Sequence, residues 1–144
     1  MDCKDLIQTF ELERQDLKTL SPLTLAYIGD CVYELALRIR VLESGNQPVD
    51  RLNRMSSQLA KAPTQFRIME ELKEFLTEEE LAVYKRGRNA KSPTKAKNAT
   101  VVEYRVATGF EAVIGYLYLQ DEKERLLEVL KKAFEIEEKQ RTEK

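Results

Sequence analysis

The chain has 144 residues, 24 of them basic and 25 acidic, for a formal net charge of -1, so no global basicity advertises a polyanion partner and any such signal must be local. The length suits one domain with a real core and argues against a second folded one. Histidine is absent, which excludes imidazole bases, serine and cysteine triads and the usual zinc sets, and leaves carboxylates to carry any acid, base or metal chemistry.

The N-terminal MDCKDLIQTF has no long hydrophobic region, and later apolar runs are interrupted by Asp30, Glu34, Arg38 and Glu111, so neither export nor a membrane span is expected. Residues 1–20 read as an extension. Few glycines and prolines, frequent leucine, glutamate and lysine, and apolar residues three and four apart predict an all-α protein. Ser21-Pro22 is a cap followed by a first-turn proline; it predicts a helix to about Leu42, stopped by Ser44-Gly45-Asn46. Cys31 falls in that helix's apolar 29–37 run, where a buried free thiol is expected. Cys3 and Cys31 are too few for a disulfide framework and fit a reducing cytoplasm. Pro48 favours a new start, and Val49, Leu52, Met55, Leu59 and Ala62 mark one face of a second helix. Pro63 should end or kink it before residues 66–75 continue. Thr77 followed by Glu78, Glu79 and Glu80 is an N-cap with acids in the first turn, opening a short helix through Leu81, Val83 and Tyr84. Those glutamates need no catalytic role.

Glycine, proline and small polar residues then predict a loop from Gly87 to about Lys97, with Asn98 able to cap the next helix. Between Lys85 and Val102 stand six cations, Lys85, Arg86, Arg88, Lys91, Lys95 and Lys97, and no acid appears until Glu103. In a nearly neutral protein this is a concentrated positive patch. The helix over about 99–119 is apolar almost all round from Val106, which requires neighbours on every side and predicts the central helix. From Asp121 an amphipathic helix carries Leu126, Val129, Leu130, Ala133 and Phe134. It should decay into a frayed charged tail over about 136–144.

Two lone carboxylates stand out: Asp30 within SPLTLAYIGDCVYELAL and Glu111 within VATGFEAVIGYLYL. An ionised acid on an apolar helix needs compensation, and a divalent cation shared by two such acids is one solution. Asp30, Glu34 and Arg38 follow at spacings of four, and an intrahelical Glu34–Arg38 ion pair accounts for Glu34 but leaves Asp30 unexplained. Gly29 in mid-helix costs roughly 1 kcal/mol relative to alanine. Gly109 and Gly115 bracket Glu111 in the same way, and small residues on crossing helices would let one ion touch both acids. On these residues alone, a metal pair and a structural polar pair stand level.

Three blocks, LTLAYIGD, GRNAKSPTKAKNA and EYRVATGFEAVIGYLYL, break that tie, because together they resemble the ribonuclease III family. LAYIGDCVYE is similar to the family's signature helix with its Leu-Gly-Asp core, and FEAVIGYLYL to its second motif. Across residues 21–119 the chain is more specifically similar to the short bacterial Mini-ribonuclease III subfamily, which has the nuclease domain without the double-stranded-RNA-binding domain of the larger enzymes. The resemblance implies a single helical-bundle nuclease domain over 1–144 that forms a homodimer. It puts the catalytic and metal-binding acids at Asp30 and Glu111, with magnesium as cofactor and no nucleotide cofactor. Larger members carry further acids where this chain has Ala26 and Thr108, which is the subfamily's own pattern. Fewer acids imply weaker or fewer metal ions before RNA phosphates complete the shell.

The implied activity is magnesium-dependent hydrolysis of double-stranded RNA to 5'-phosphate and 3'-hydroxyl ends, serving maturation of precursor 23S ribosomal RNA in a bacterial cytoplasm. Duplex RNA offers phosphates and 2'-hydroxyls, which Lys85, Arg86, Arg88, Lys91, Lys95 and Lys97 could grip while Asn89, Ser92, Thr94 and Asn98 hydrogen-bond sugars or base edges. Leu23, Tyr27, Cys31 and Leu35 on the signature helix are candidates both for the monomer core and for a self-complementary interface. Two alternatives compete with this activity. A non-catalytic RNA-binding or ribosome-associated protein on the same domain would tolerate loss of Asp30 or Glu111, yet both are present. A nucleotide pyrophosphohydrolase would need paired Glu-x-x-Glu motifs, and Glu71 with Glu74 has no convincing second motif.

Overall fold

The computed structural model describes residues 1–91 and 100–143, and every regular element among them is helical. Helix α1 (Cys3–Thr9) opens the extension on a reciprocal Asp2–Asp5 cap, and a 3₁₀ turn over Leu17–Thr19 leads into α2 (Pro22–Val41). Ser21 accepts a hydrogen bond from the Thr24 N–H at 3.1 Å and Pro22 occupies the first turn, as the Ser-Pro pair predicts. A 3₁₀ turn and Gly45, at φ +94°, end the helix. The next two helices, α3 (Val49–Ala60) and α4 (Ala62–Leu72), are separated by Lys61 alone, whose ψ of 153° is extended. Pro63 therefore does not kink a continuous helix. It sits in the first turn of α4, where its missing N–H has no intrahelical partner to lose.

Helix α5 (Glu78–Asn89) begins on the expected Thr77 cap, and the Glu80 carboxylate in turn accepts a hydrogen bond from the Thr77 N–H. Glu80 is also held by Arg125 through two N–H bonds of 2.8 Å, which ties α5 to α7 and confirms a structural role for that acid. The expected loop at Gly87 is overturned. The helix runs on to Asn89, and Gly87 is buried against α6, where an added Cβ would lie 2.9 Å from the Gly109 Cα and 3.0 Å from the Ala112 Cβ. Helix α6 (Val101–Leu119) is capped by a Thr100–Glu103 box rather than by Asn98, which lies outside the described residues. The last helix, α7 (Lys123–Thr142), does not fray at 136. Ile136 is buried, Arg141 pairs with Glu137, and the Gln140 amide donates to the Arg67 carbonyl at 2.8 Å and to Glu71 at 2.7 Å, so α4 holds the tail in place.

Helix α6 is the axis of the bundle, packed by α2, α4, α5 and α7. Phe110, Ala112 and Ile114 on it are fully buried, against Leu25, Tyr33 and Leu37 of α2, Ile68 and Leu72 of α4, and Val129 of α7. The other side of α2 has no such cover. Leu23 is half-buried, whereas Tyr27, Cys31 and Leu35 are exposed, so these four do not serve the monomer core. The free thiol buried in this structure is Cys3, not Cys31. With Ile39, Leu42 and Val49 the exposed residues form an apolar strip along α2 and the start of α3. Val49 thus belongs to this strip and not to the buried face of α3.

Candidate active site

The site is built on a glycine contact. A Cβ at Gly29 would overlap the Glu111 carbonyl oxygen, and one at Gly115 would overlap the Leu25 carbonyl oxygen. Only hydrogen fits at either place, so the α2 and α6 backbones touch where they cross. Asp30 follows one glycine and Glu111 precedes the other by a turn. At this crossing Asp30 comes near enough to Glu111 to act on its carboxyl group. Gly109, which brackets Glu111 on its other side, takes no part in this crossing. It faces Tyr84 of α5, whose ring and carbonyl would lie 2.7 Å from an added Cβ.

Asp30 is exposed and Glu111 half-buried. Burial first, and then Asp30, push the Glu111 pKa up to about 9, with Glu34 adding to the rise and the Gln65 amide opposing it. Among the described residues no lysine or arginine forms an ion pair with either acid. Glu34 instead pairs with the Arg38 Nε at 3.0 Å, the intrahelical bond its spacing predicts. Two facing carboxylates without a basic partner must share a proton or hold a cation, and an all-oxygen donor set selects a hard divalent ion.

Such an ion fits an open site. Among the described residues there is no group of three or more acidic, cysteine or histidine side chains able to enclose a metal. At the two positions where the resemblance sets this chain apart by lacking acids, Ala26 and Thr108 are buried, and the Thr108 hydroxyl donates to the Tyr104 carbonyl at 3.0 Å. Two protein carboxylates therefore leave most coordination positions to water and substrate oxygens.

Of the ten residues expected to meet RNA, Lys85, Arg86, Arg88 and Asn89 lie on the last turns of α5 rather than in a loop. Lys85, Arg86, Asn89 and Lys91 are exposed, while Arg88 is half-buried with its guanidinium 5.6 Å from the Tyr84 ring centre. Cations at a helix C-terminus are favoured by its dipole. Ser92, Thr94, Lys95, Lys97 and Asn98 lie outside the described residues.

Two features are not among the residues expected from the sequence. Gln65 of α4, 1% exposed, donates to the Ala60 carbonyl at 2.8 Å and reaches Glu111 Oε2 at 3.5 Å, while its Oε1 is buried without a partner. A lone glutamine in a helical pattern gives no signal of this. The second is a stretch from Arg51 to Met69 with Arg51, Arg54, Lys61 and Arg67, all exposed, and no acid. Its signal is visible, but four cations spread over α3 and α4 do not cluster as those after Tyr84 do.

The chain as a whole is similar to known proteins. The ribonuclease III domain family matches residues 23–122. The chain is 50% identical to Mini-ribonuclease 3 of Clostridium tetani over 84% of its own length and 81% of that protein's, and 48% identical to the Enterococcus faecalis Mini-ribonuclease 3 over 81% and 89%. A crystal structure of a Fusobacterium nucleatum protein superposes with a TM-score of 0.74 at 32% identity, covering 81% of this chain and 95% of that one.

Proposed function

The chain belongs to the ribonuclease III family, in its Mini-ribonuclease 3 group, and from that premise we propose that Asp30 and Glu111 form the magnesium centre of an endoribonuclease cutting double-stranded RNA. The observation that carries this reading is the acid pair itself. Two carboxylates lie close to each other across touching backbones, and among the described residues no basic side chain forms an ion pair with either. Bound there, magnesium would supply a Lewis acid for the scissile phosphate and a water of lowered pKa.

The protein's own part follows from its side chains. Asp30 is exposed and offers oxygens toward substrate, while Glu111, half-buried and with a raised pKa, would give up its proton to hold a bound cation. Arg38 holds Glu34 aside, one turn from Asp30. Lys85, Arg86, Arg88 and Lys91 bind phosphates flanking the cut. Water attacks phosphorus and gives up a proton to solvent, the bond to the 3'-oxygen breaks, and that oxygen takes a proton from solvent, leaving 5'-phosphate and 3'-hydroxyl ends.

Cutting both strands takes two centres. The apolar strip of Tyr27, Cys31, Leu35 and Ile39 supports pairing with a second copy about a twofold axis. Kinship with the Mini-ribonuclease 3 group supports precursor 23S ribosomal RNA as substrate in a bacterial cytoplasm. No helix among the described residues is long and apolar enough to cross a membrane.

The test is cleavage of a duplex RNA in magnesium and in EDTA. Asp30→Asn, with unchanged circular dichroism, should lower turnover by about 10³-fold or more. Retention of full activity in that variant would refute the assignment. Leu35→Glu combined with Ile39→Glu should sediment as a monomer and lose paired cuts; a persistent dimer would remove this face from the interface.

A further inference from the structure

Pro63 has no N–H, so the Ala60 carbonyl at the end of α3 lacks a backbone donor three residues on, and the Thr64 N–H is already bonded to Lys61. The Gln65 side chain fills the gap, with its Nε2 2.8 Å from that carbonyl. This bond decides which end of the amide is nitrogen. The second N–H of the same nitrogen is then left facing Glu111 Oε2, at 3.5 Å. We propose that Gln65 is a positioning residue of the metal centre: its amide, pinned by Ala60, engages one oxygen of Glu111 and turns the other toward Asp30 and the cation.

The proposal rests on the reading of Glu111 as a metal-binding acid and adds what sets its orientation. A neutral donor suits this position better than a charged one. Lysine or arginine would neutralise the acid pair and compete with the cation, whereas an amide orients the carboxylate and leaves its charge available. Apolar side chains would leave both the Ala60 carbonyl and the inner oxygen of Glu111 without a donor. Gln65 also keeps a buried, unpartnered Oε1, a poor arrangement for a residue that only fills space. The α3–α4 junction is thereby coupled to the active acid through a single side chain.

The experiment compares the unaltered chain, Gln65→Met and Asp30→Asn by calorimetric titration with magnesium chloride alone. Backbone circular dichroism and duplex RNA affinity in EDTA are measured alongside. Gln65→Met should weaken magnesium binding by about 10- to 100-fold and raise the magnesium needed for half-maximal cleavage by a similar factor. RNA affinity in EDTA should stay unchanged. In the unaltered chain, magnesium should also shift the Gln65 side-chain amide resonances, a readout that survives if Gln65→Met does not fold. Wild-type magnesium affinity in folded Gln65→Met, or amide resonances indifferent to magnesium, would overturn the positioning role. If Asp30→Asn also binds magnesium as the unaltered chain does, the metal centre falls and Gln65 with it.

Discussion

Helix α6 is crossed at two glycines, six residues apart, and the two crossings differ in what they accomplish. At Gly115 the α2 backbone touches α6 through Gly29, and the neighbouring side chains are two acids that no apolar core would otherwise bring together. At Gly109 the partner is α5, through Gly87 and the face of Tyr84, and the residues enclosed are apolar. Glycine thus sets how closely helices approach, while the residue beside it decides whether the contact is chemistry or packing. The largest effect that would break this comparison is a methyl group. Gly29→Ala or Gly115→Ala puts Cβ into a backbone carbonyl oxygen, which cannot yield, so neither variant should show a cooperative unfolding transition on heating. Gly87→Ala meets the Gly109 Cα at 2.9 Å and the Ala112 Cβ at 3.0 Å, and should fold with a loss of about 1–3 kcal/mol by urea titration. Equal losses at both crossings would erase the distinction.

The acid crossing should also differ in its response to pH. Free Glu has a pKa near 4.5, and burial with Asp30 raises Glu111 to about 9 in the fold. The folded state therefore binds more protons than the unfolded one between those values. Its contribution to stability is fully present below about pH 4.5 and is lost as pH rises through about 9, at no more than about 1.4 kcal/mol per pH unit. In EDTA, the denaturation midpoint should fall between pH 5 and 9; magnesium should flatten the decline by favouring the charged form. Glu111→Gln should flatten it without metal and, at pH 8, stabilise the apo protein by about 1–3 kcal/mol while removing cleavage. A midpoint that is independent of pH in the unaltered chain would show that the pair is not strained.

What the sequence makes legible is what short patterns determine. The Ser21-Pro22 start, the Thr77 cap and the all-round apolar α6 follow from local rules and are all present. The convergence of Asp30 and Glu111 is legible because mid-helix glycines are unfavourable unless a close approach needs them. Which glycine meets which helix is not, since Gly87 reads as a turn until α6 is packed against it. The α7 tail misleads for the same reason: residues 136–144 read as a frayed charged tail, whereas burial of Ile136 and contacts from Arg40 of α2 and from Arg67 and Glu71 of α4 give the helix a reason to continue. Gln65 is invisible in the sequence because its role depends on a carbonyl orphaned by Pro63 and on an acid 46 residues away.

The smallest expected effect sharpens the comparison from the outer side of the α5 crossing. Packing Gly87 into Gly109 fixes the direction of the last turn of α5, and so presents Lys85 and Arg86 to solvent while Arg88 rests on Tyr84. If that turn binds duplex phosphates, Lys85→Ala combined with Arg86→Ala should weaken RNA binding by about 3- to 30-fold at moderate salt. The slope of log affinity against log salt should lose close to one unit per phosphate contact removed. The magnesium dependence of cleavage should not move, because neither side chain forms an ion pair with Asp30 or Glu111. Arg54→Ala with Lys61→Ala, in the stretch 51–69 of α3 and α4 whose own sequence carries no acid, should behave in the same way if duplex RNA spans both surfaces. A change in magnesium dependence without a change in salt slope would instead mean that these cations act on the acid pair, and the two crossings would no longer be separable in function.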